Sequence, residues 1–146
     1  MKRFLPVPVL LAVLVFLAGC FSVPDGFVSR EENYDPHPGQ DHIDYCIWVY
    51  GDASAFESGS DFRQVGEEDV KRIRGYFENF TSVWNSSGRT GEWEFDPGCV
   101  SPGDFVRVST KEGEPIGEYR YGVFDNYSVF FFDSDAFVLY YIHSNI

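Results

Sequence analysis

The chain has 146 residues, a length that suits one domain once a leader has been removed. It carries 23 acidic side chains against 11 basic ones, and its net charge is −12 with the histidines neutral. Nucleic acid repels so acidic a chain, and we therefore expect no nucleic-acid partner.

The first 19 residues have the layout of an export signal. Lys2 and Arg3 give a short positive start, residues 4–17 are apolar and uncharged, and small residues lie directly before Cys20. The alternative is a transmembrane helix, which needs about 20 apolar residues. The apolar run is shorter than that, so we interpret residues 1–19 as a signal peptide that is removed.

The end of this signal, Leu17-Ala18-Gly19-Cys20, matches the lipobox at each position. The chain resembles bacterial lipoproteins in this leader, and the resemblance covers the leader alone. It implies cleavage before Cys20, a thioether-linked diacylglycerol on that residue, and anchoring on the exocytoplasmic face of a membrane. Two acyl chains make such anchoring stable. Removal of Lys2 and Arg3 with the signal takes the net charge from −12 to −14. A buried cysteine without lipid is the alternative for Cys20.

Residues 20–42 are interpreted as a flexible tether, because prolines and glycines are frequent there and hydrophobic periodicity is missing. A local group of histidines and acids comprises His37, Asp41, His42 and Asp44. Its spacing matches no zinc pattern, so we interpret it as part of a solvated linker. We expect no metal and no cofactor.

Two further cysteines belong to the exported part, Cys46 and Cys99. Disulfides persist in the environment that exported proteins meet, and an even pair there most simply bonds to itself. A Cys46–Cys99 disulfide would close a long loop and stabilise the fold by on the order of 4 kcal/mol. Two buried thiols are the alternative.

A single globular domain is expected over residues 43–146. Alternating β-branched and aromatic residues predict a strand over 43–50 that is apolar on both faces, followed by a polar loop over 51–66. An amphipathic helix is predicted over 67–84. Its apolar stripe has three- and four-residue spacing and consists of Val70, Ile73, Phe77, Phe80 and Trp84.

The rest of the chain is predicted as short strands joined by tight turns, which gives an antiparallel meander. The strands are expected at 92–95, 105–110, 118–124, 127–132 and 136–143. Asp125-Asn126 is expected to form a type I′ turn, and Asp133-Ser134-Asp135 a β-turn rather than a calcium loop.

The predicted fold class is α+β, with an antiparallel meander sheet of about five to six strands and one main helix packed on one face. The order strand, helix, strands is similar to that of cystatin-type folds. This is an analogy in element order, and it implies nothing about function.

The strands at 127–132 and 136–143 are apolar on both faces. Such strands are normally covered on both sides, and a single helix covers only one. An exposed aromatic face would bind a protein or an envelope glycan, whereas burial beneath the chain's own loops is the alternative. The candidate binding residues are Tyr119, Tyr121, Tyr127 and Tyr140.

Catalytic motifs are lacking from the sequence, since neither Gly-x-Ser-x-Gly nor His-Glu-x-x-His occurs. His143 lies near the end of a strand, and no partner for it can be identified from sequence. The chain is therefore expected to be a non-enzymatic, membrane-anchored module that binds an envelope protein or glycan. A small cell-envelope hydrolase and a structural accessory lipoprotein are the alternatives. The hydrolase hypothesis gains support if His143 lies within hydrogen-bond reach of a carboxylate and a hydroxyl, and it is excluded if His143 points into solvent alone.

Overall fold

The computed structural model describes residues 23–33, 42–58, 61–110 and 127–145. Several predicted features lie outside these ranges, namely the signal peptide 1–19, the lipidation site Cys20, the strand at 118–124, the Asp125-Asn126 turn, Tyr119 and Tyr121. Within the described ranges, no helix has the length and apolar character needed to cross a membrane.

The described chain forms one six-stranded antiparallel sheet with one main helix, which confirms the predicted α+β class. The strands are β1 (Phe27–Asn33), β2 (His42–Tyr50), β3 (Arg63–Gln64), β4 (Phe105–Thr110), β5 (Tyr127–Asp133) and β6 (Val138–Asn145). The helices are α1 (Ser54–Glu57) and α2 (Glu67–Ser86), with a 3-10 turn at Pro97–Cys99. Across the sheet the order is β1-β2-β6-β5-β4-β3, so β6 and β5 are the two middle strands and β2 lies beside β6.

The middle of the sheet consists of β2, β6 and β5. Tyr45 on β2 opposes Ile142 on β6, which in turn opposes Val129 on β5. These three side chains share one face of the sheet, and all are almost inaccessible to solvent. The neighbouring residues Cys46 and Phe130 point to the other face and are buried as well. These strands are therefore covered on both faces, which is the burial alternative to an exposed aromatic face.

Helix α2 covers one face of this sheet, and the core of its predicted stripe is buried. Ile73, Phe77, Phe80 and Trp84 are each at most 3 % exposed. The helix ends two residues later than predicted, and the backbone N–H of Ser87 donates to the carbonyl of Trp84 at 3.2 Å. The buried residues on this side, which we call the helix-face cluster, are Ile43, Tyr45, Val65, Ile73, Phe77, Phe80, Trp84, Trp93, Val100, Val106, Tyr127, Val129, Phe131 and Ile142.

The strand predicted at 92–95 does not form. Its two aromatic side chains pack on α2 instead. The indole N–H of Trp93 donates to Thr81 Oγ1 at 2.8 Å, and the ring of Phe95 stacks on Phe77 with centroids 4.0 Å apart. Alternation of apolar and polar residues predicts a strand because one side must be buried. Here an irregular segment lying on the helix buries that side, so no strand partner is needed.

The prediction of a flexible tether over residues 20–42 is wrong for residues 27–33. Residues 27–33 form the edge strand β1, which pairs antiparallel with β2 from Phe27 opposite Tyr50 onwards. Six of the seven β1 side chains are exposed, so the strand is held through its backbone. Hydrophobic periodicity could not predict it, because neither of its faces is buried.

The residues just before β1 are also packed on the domain. Val23 lies against the apolar residues on the face of the sheet opposite α2. The hydroxyl of Tyr50 donates to the carbonyl of Pro24 at 2.8 Å. Burial raises the pKa of this tyrosine to about 12. Residues 23–33 are therefore held on the domain.

Asp69 joins the start of α2 to β3. Its side chain is buried, and its carboxylate accepts hydrogen bonds from two Arg63 nitrogens at 2.5 and 2.9 Å, from Arg72 and from the backbone N–H of Gly66. The bonds from Arg63 are the largest cause of a pKa lowered to about 2 for this carboxyl group. The network therefore requires an ionised Asp69.

Replacing Asp69 with Asn should lower the free energy of unfolding at neutral pH by about 2 kcal/mol. The folded pKa lies below the unfolded value of 3.8, so the unfolded chain binds more protons between the two values. The stabilisation is complete above about pH 4 and is lost as the pH falls through about 2. Urea denaturation across this window measures the effect, with Glu67→Gln in the exposed first turn as the control. Equal pH dependence in wild type and Asp69→Asn would contradict the assignment.

Candidate functional site

The second face of the sheet, opposite α2, is covered by the loop between β2 and β3. Phe56 of α1 stacks on Phe132 with ring centroids 3.8 Å apart, and Phe62 meets Phe130 edge-on at 6.2 Å. The buried residues on this side, which we call the second-face cluster, are Cys46, Trp48, Tyr50, Phe56, Phe62, Phe130, Phe132, Leu139 and Tyr141. Of the two alternatives for the aromatic residues on this face, exposure and burial beneath the chain's own loop, the structure has burial.

Two of the four candidate binding tyrosines are described, and neither contributes to an exposed face. Tyr127 is 2 % exposed in the helix-face cluster, and its hydroxyl donates to Asn79 Oδ1 of α2 at 2.8 Å. Tyr140 lies on the same face, half-buried against Phe95 with ring centroids 5.0 Å apart. The expected exposed aromatic face is therefore not formed by these two residues, because α2 encloses Tyr127 and Tyr140 packs against the segment after the helix.

Arg107 on β4 is part of the aromatic packing on the second face. Its guanidinium carbon lies 4.2 Å from the ring centre of Phe130 and 4.9 Å from that of Phe62. Burial lowers the pKa of Arg107, and Asp61, at 3.8 Å, opposes that shift. A cation held between two rings is a stabilising arrangement, so this arginine closes the second-face cluster.

The second face changes from aromatic to polar at one end of the sheet. Asp44 on β2, His143 on β6 and Ser128 on β5 are register partners across three adjacent strands. Strand alternation puts them on the same face as Cys46 and Tyr141, one step further along. We call Asp44, His143 and Ser128 the polar row.

The polar row combines a hydroxyl, an imidazole and a carboxylate. Ser128 Oγ and His143 Nδ1 are 2.8 Å apart, and the tautomer of the ring decides which of them donates. Asp44 is 8 % exposed, whereas Ser128 and His143 are only half-buried. A ligand can therefore reach the hydroxyl and the imidazole, while the carboxylate is enclosed on the neighbouring strand.

The sequence identified two of these three residues, and neither in its structural setting. In the sequence, His143 has no identifiable partner, and Asp44 lies close to His37, Asp41 and His42. The missed signal is that Asp44 and Ser128 are polar positions on strand faces that are otherwise apolar. Register brings them to His143, and periodicity within a single strand contains no information about register.

Metal ligands do not cluster in the part of the chain that the structure describes, where no three His, Cys, Asp or Glu residues come together to hold an ion. His37 and Asp41 of the sequence cluster lie outside that part. Asp133 Oδ1 accepts hydrogen bonds from the backbone N–H groups of Asp135 and Ala136, both at 3.0 Å. This geometry confirms the β-turn that was preferred over a calcium loop.

The predicted disulfide between Cys46 and Cys99 is absent, and both residues are thiols. Cys46 is buried in the second-face cluster, whereas Cys99 packs against the helix-face cluster. The sheet lies between them, so their sulfur atoms cannot meet without breaking it. Burial, reinforced by Asp133 and Asp104, raises the pKa of Cys99 to about 12, which makes this thiol unreactive.

In comparisons with protein-family models, curated proteins and solved structures, the chain matches none.

Cys46 and Cys99 should both appear as reactive thiols when a chain that begins after Cys20 is unfolded without reductant. Alkylation followed by mass spectrometry should give the same result with and without prior reduction. Labelling of the folded protein should be slow at both sites, since Cys46 is fully buried and Cys99 has a raised pKa. If labelling increases after reduction, the prediction of a Cys46–Cys99 disulfide would be correct after all.

Proposed function

We propose that the chain is a bacterial lipoprotein, anchored through lipid on Cys20, whose domain is a non-enzymatic module that binds an envelope component. The lipobox supports the anchor, and the packing of Val23 supports a domain held against the membrane. Val23 lies three positions after Cys20, and a chain of that length spans at most about 11 Å. A domain held this close can bind only partners near the membrane surface.

The polar row is the surface that we propose for the partner. Along β2, Asp44 lies about 20 Å from Tyr50, the residue that holds Pro24 next to the anchor. The row is therefore at the end of the domain that is farther from the lipid. His143 and Ser128 can exchange hydrogen bonds there with a polar protein segment or a glycan.

A small envelope hydrolase is the second candidate, and the 2.8 Å contact between Ser128 and His143 is what favours it. In that mechanism His143 would take the hydroxyl proton of Ser128 as the oxygen attacks an ester or amide carbon. It would then give the proton to the leaving group as the bond to that group breaks, and water activated by His143 would release the acyl group from Ser128. Asp44, the register partner of His143, would orient the ring. Ser128 lies on a regular strand rather than at the sharp turn that exposes the serine of common hydrolases. For this reason binding is the first proposal.

Cys20→Ala should abolish lipidation. In a bacterial host fed a labelled fatty acid, the wild-type chain should carry the label and begin at Cys20 after processing. The variant should carry no label and should leave the membrane fraction, or remain there as an uncleaved precursor. Cys46→Ala is the matched control and should keep the label. A labelled Cys20→Ala chain, or an unlabelled wild type, would refute the anchor.

The two candidate functions differ in what Ser128→Ala does. If the chain is a hydrolase, this change should lower the turnover of chromogenic ester substrates by roughly a thousandfold. If the chain only binds, wild type and variant should both show the uncatalysed rate, and His143→Ala should reduce crosslinking to envelope material. Ser109→Ala is the control, because Ser109 is the exposed register partner of Ser128 on β4. Catalysis that is lost in Ser128→Ala but kept in Ser109→Ala would overturn the binding proposal.

A further inference from the structure

We propose that Phe27 and Val28, at the start of β1, contact the surface of the lipid bilayer and orient the domain on it. This inference rests on the proposed anchor at Cys20. Of the large hydrophobic side chains in the described ranges, these two are the exposed ones, at 39 % and 71 %. Water is a poor environment for both, and a neighbouring acyl region would bury them.

The position of the two side chains is fixed by the structure. The ring of Phe27 packs edge-on against that of Tyr50, with centroids 6.3 Å apart. Tyr50 is in turn hydrogen-bonded to Pro24. The register of β1 against β2 shifts between Phe27 and Ser29, so Val28 lies at an irregularity that has no partner in the pairing. Such bulges re-aim a side chain, and this one leaves Val28 pointing outward.

The reach of the chain makes the bilayer the expected occupant of this surface. A lipid on Cys20 would begin at the membrane surface, and seven residues of chain up to Phe27 span at most about 25 Å. Part of that length, from Val23 onwards, is already packed on the domain. The exposed apolar pair is therefore at the end of the domain that the anchor holds next to the lipid.

Charge argues for apolar contact rather than electrostatic attraction. The mature chain has a net charge of −14, and Asp25 lies just before the pair. Anionic head groups would repel this surface, whereas zwitterionic ones would not. The contact should therefore form on vesicles of phosphatidylcholine, which carry no net charge.

Added tryptophans can measure the depth of the pair. The lipidated full chain would carry Val28→Trp, or Glu32→Trp as the matched control four residues further along the same exposed strand. The native Trp48, Trp84 and Trp93 are buried and supply a constant background. On vesicles of brominated phosphatidylcholine, the tryptophan at position 28 should lose roughly half or more of its emission relative to ordinary phosphatidylcholine. The tryptophan at position 32 should lose little, since it lies about 13 Å further along β1.

The outcomes separate the contact from the anchor. If the chain floats with the vesicles but both positions are quenched equally, or neither is, the proposed contact is wrong and the anchor stands. If the mature chain carries no diacylglycerol by mass and does not float, the anchor fails and the contact fails with it. Phe27→Trp provides a second probe at the same surface and should be quenched like Val28→Trp.

Discussion

The constraint on which the structure depends is that β2, β6 and β5 are apolar on both faces. A sheet of this kind must be covered on both faces, and the described residues contain one long helix. Helix α2 covers one face, and the loop with Phe56 and Phe62 covers the other. Every large aromatic residue on these three strands is thereby used for packing, which removes the aromatic faces from the set of binding surfaces.

The coverage of both sheet faces also determines where the cysteines and the polar side chains lie. Cys46 and Cys99 are kept on opposite faces of the sheet, so both remain thiols. On the second face, the buried apolar residues extend along the strands as far as Tyr141 and Phe130. One step beyond it lie Asp44, His143 and Ser128, where the face becomes polar and accessible side chains begin.

The edge strand β1 limits how far the domain could lie from a membrane if Cys20 carries the proposed lipid. A long tether would let the domain search a wide volume above the lipid. With a proposed anchor at Cys20, packing of Val23 and pairing of β1 leave only Phe21 and Ser22 between the lipidated residue and the packed chain. Under the proposed anchor, one end of the sheet faces the lipid and the polar row faces away from it. In order of increasing distance from the membrane, the proposed arrangement is the lipid on Cys20, then Phe27 and Val28, then the polar row.

The sequence by itself determined the elements with one buried side: the strand around Trp48, helix α2 with its stripe, and the two aromatic strands near the carboxyl terminus. Each of these has a periodic pattern because burial repeats with the geometry of the element. It also contains the local motif Leu17-Ala18-Gly19-Cys20, on which the proposed anchor rests. Only the tertiary structure decided the role of β1, the separation of Cys46 from Cys99, and the meeting of Ser128 with His143. These depend on strand order and register, which are set by contacts between distant residues and leave no periodic trace in any single segment.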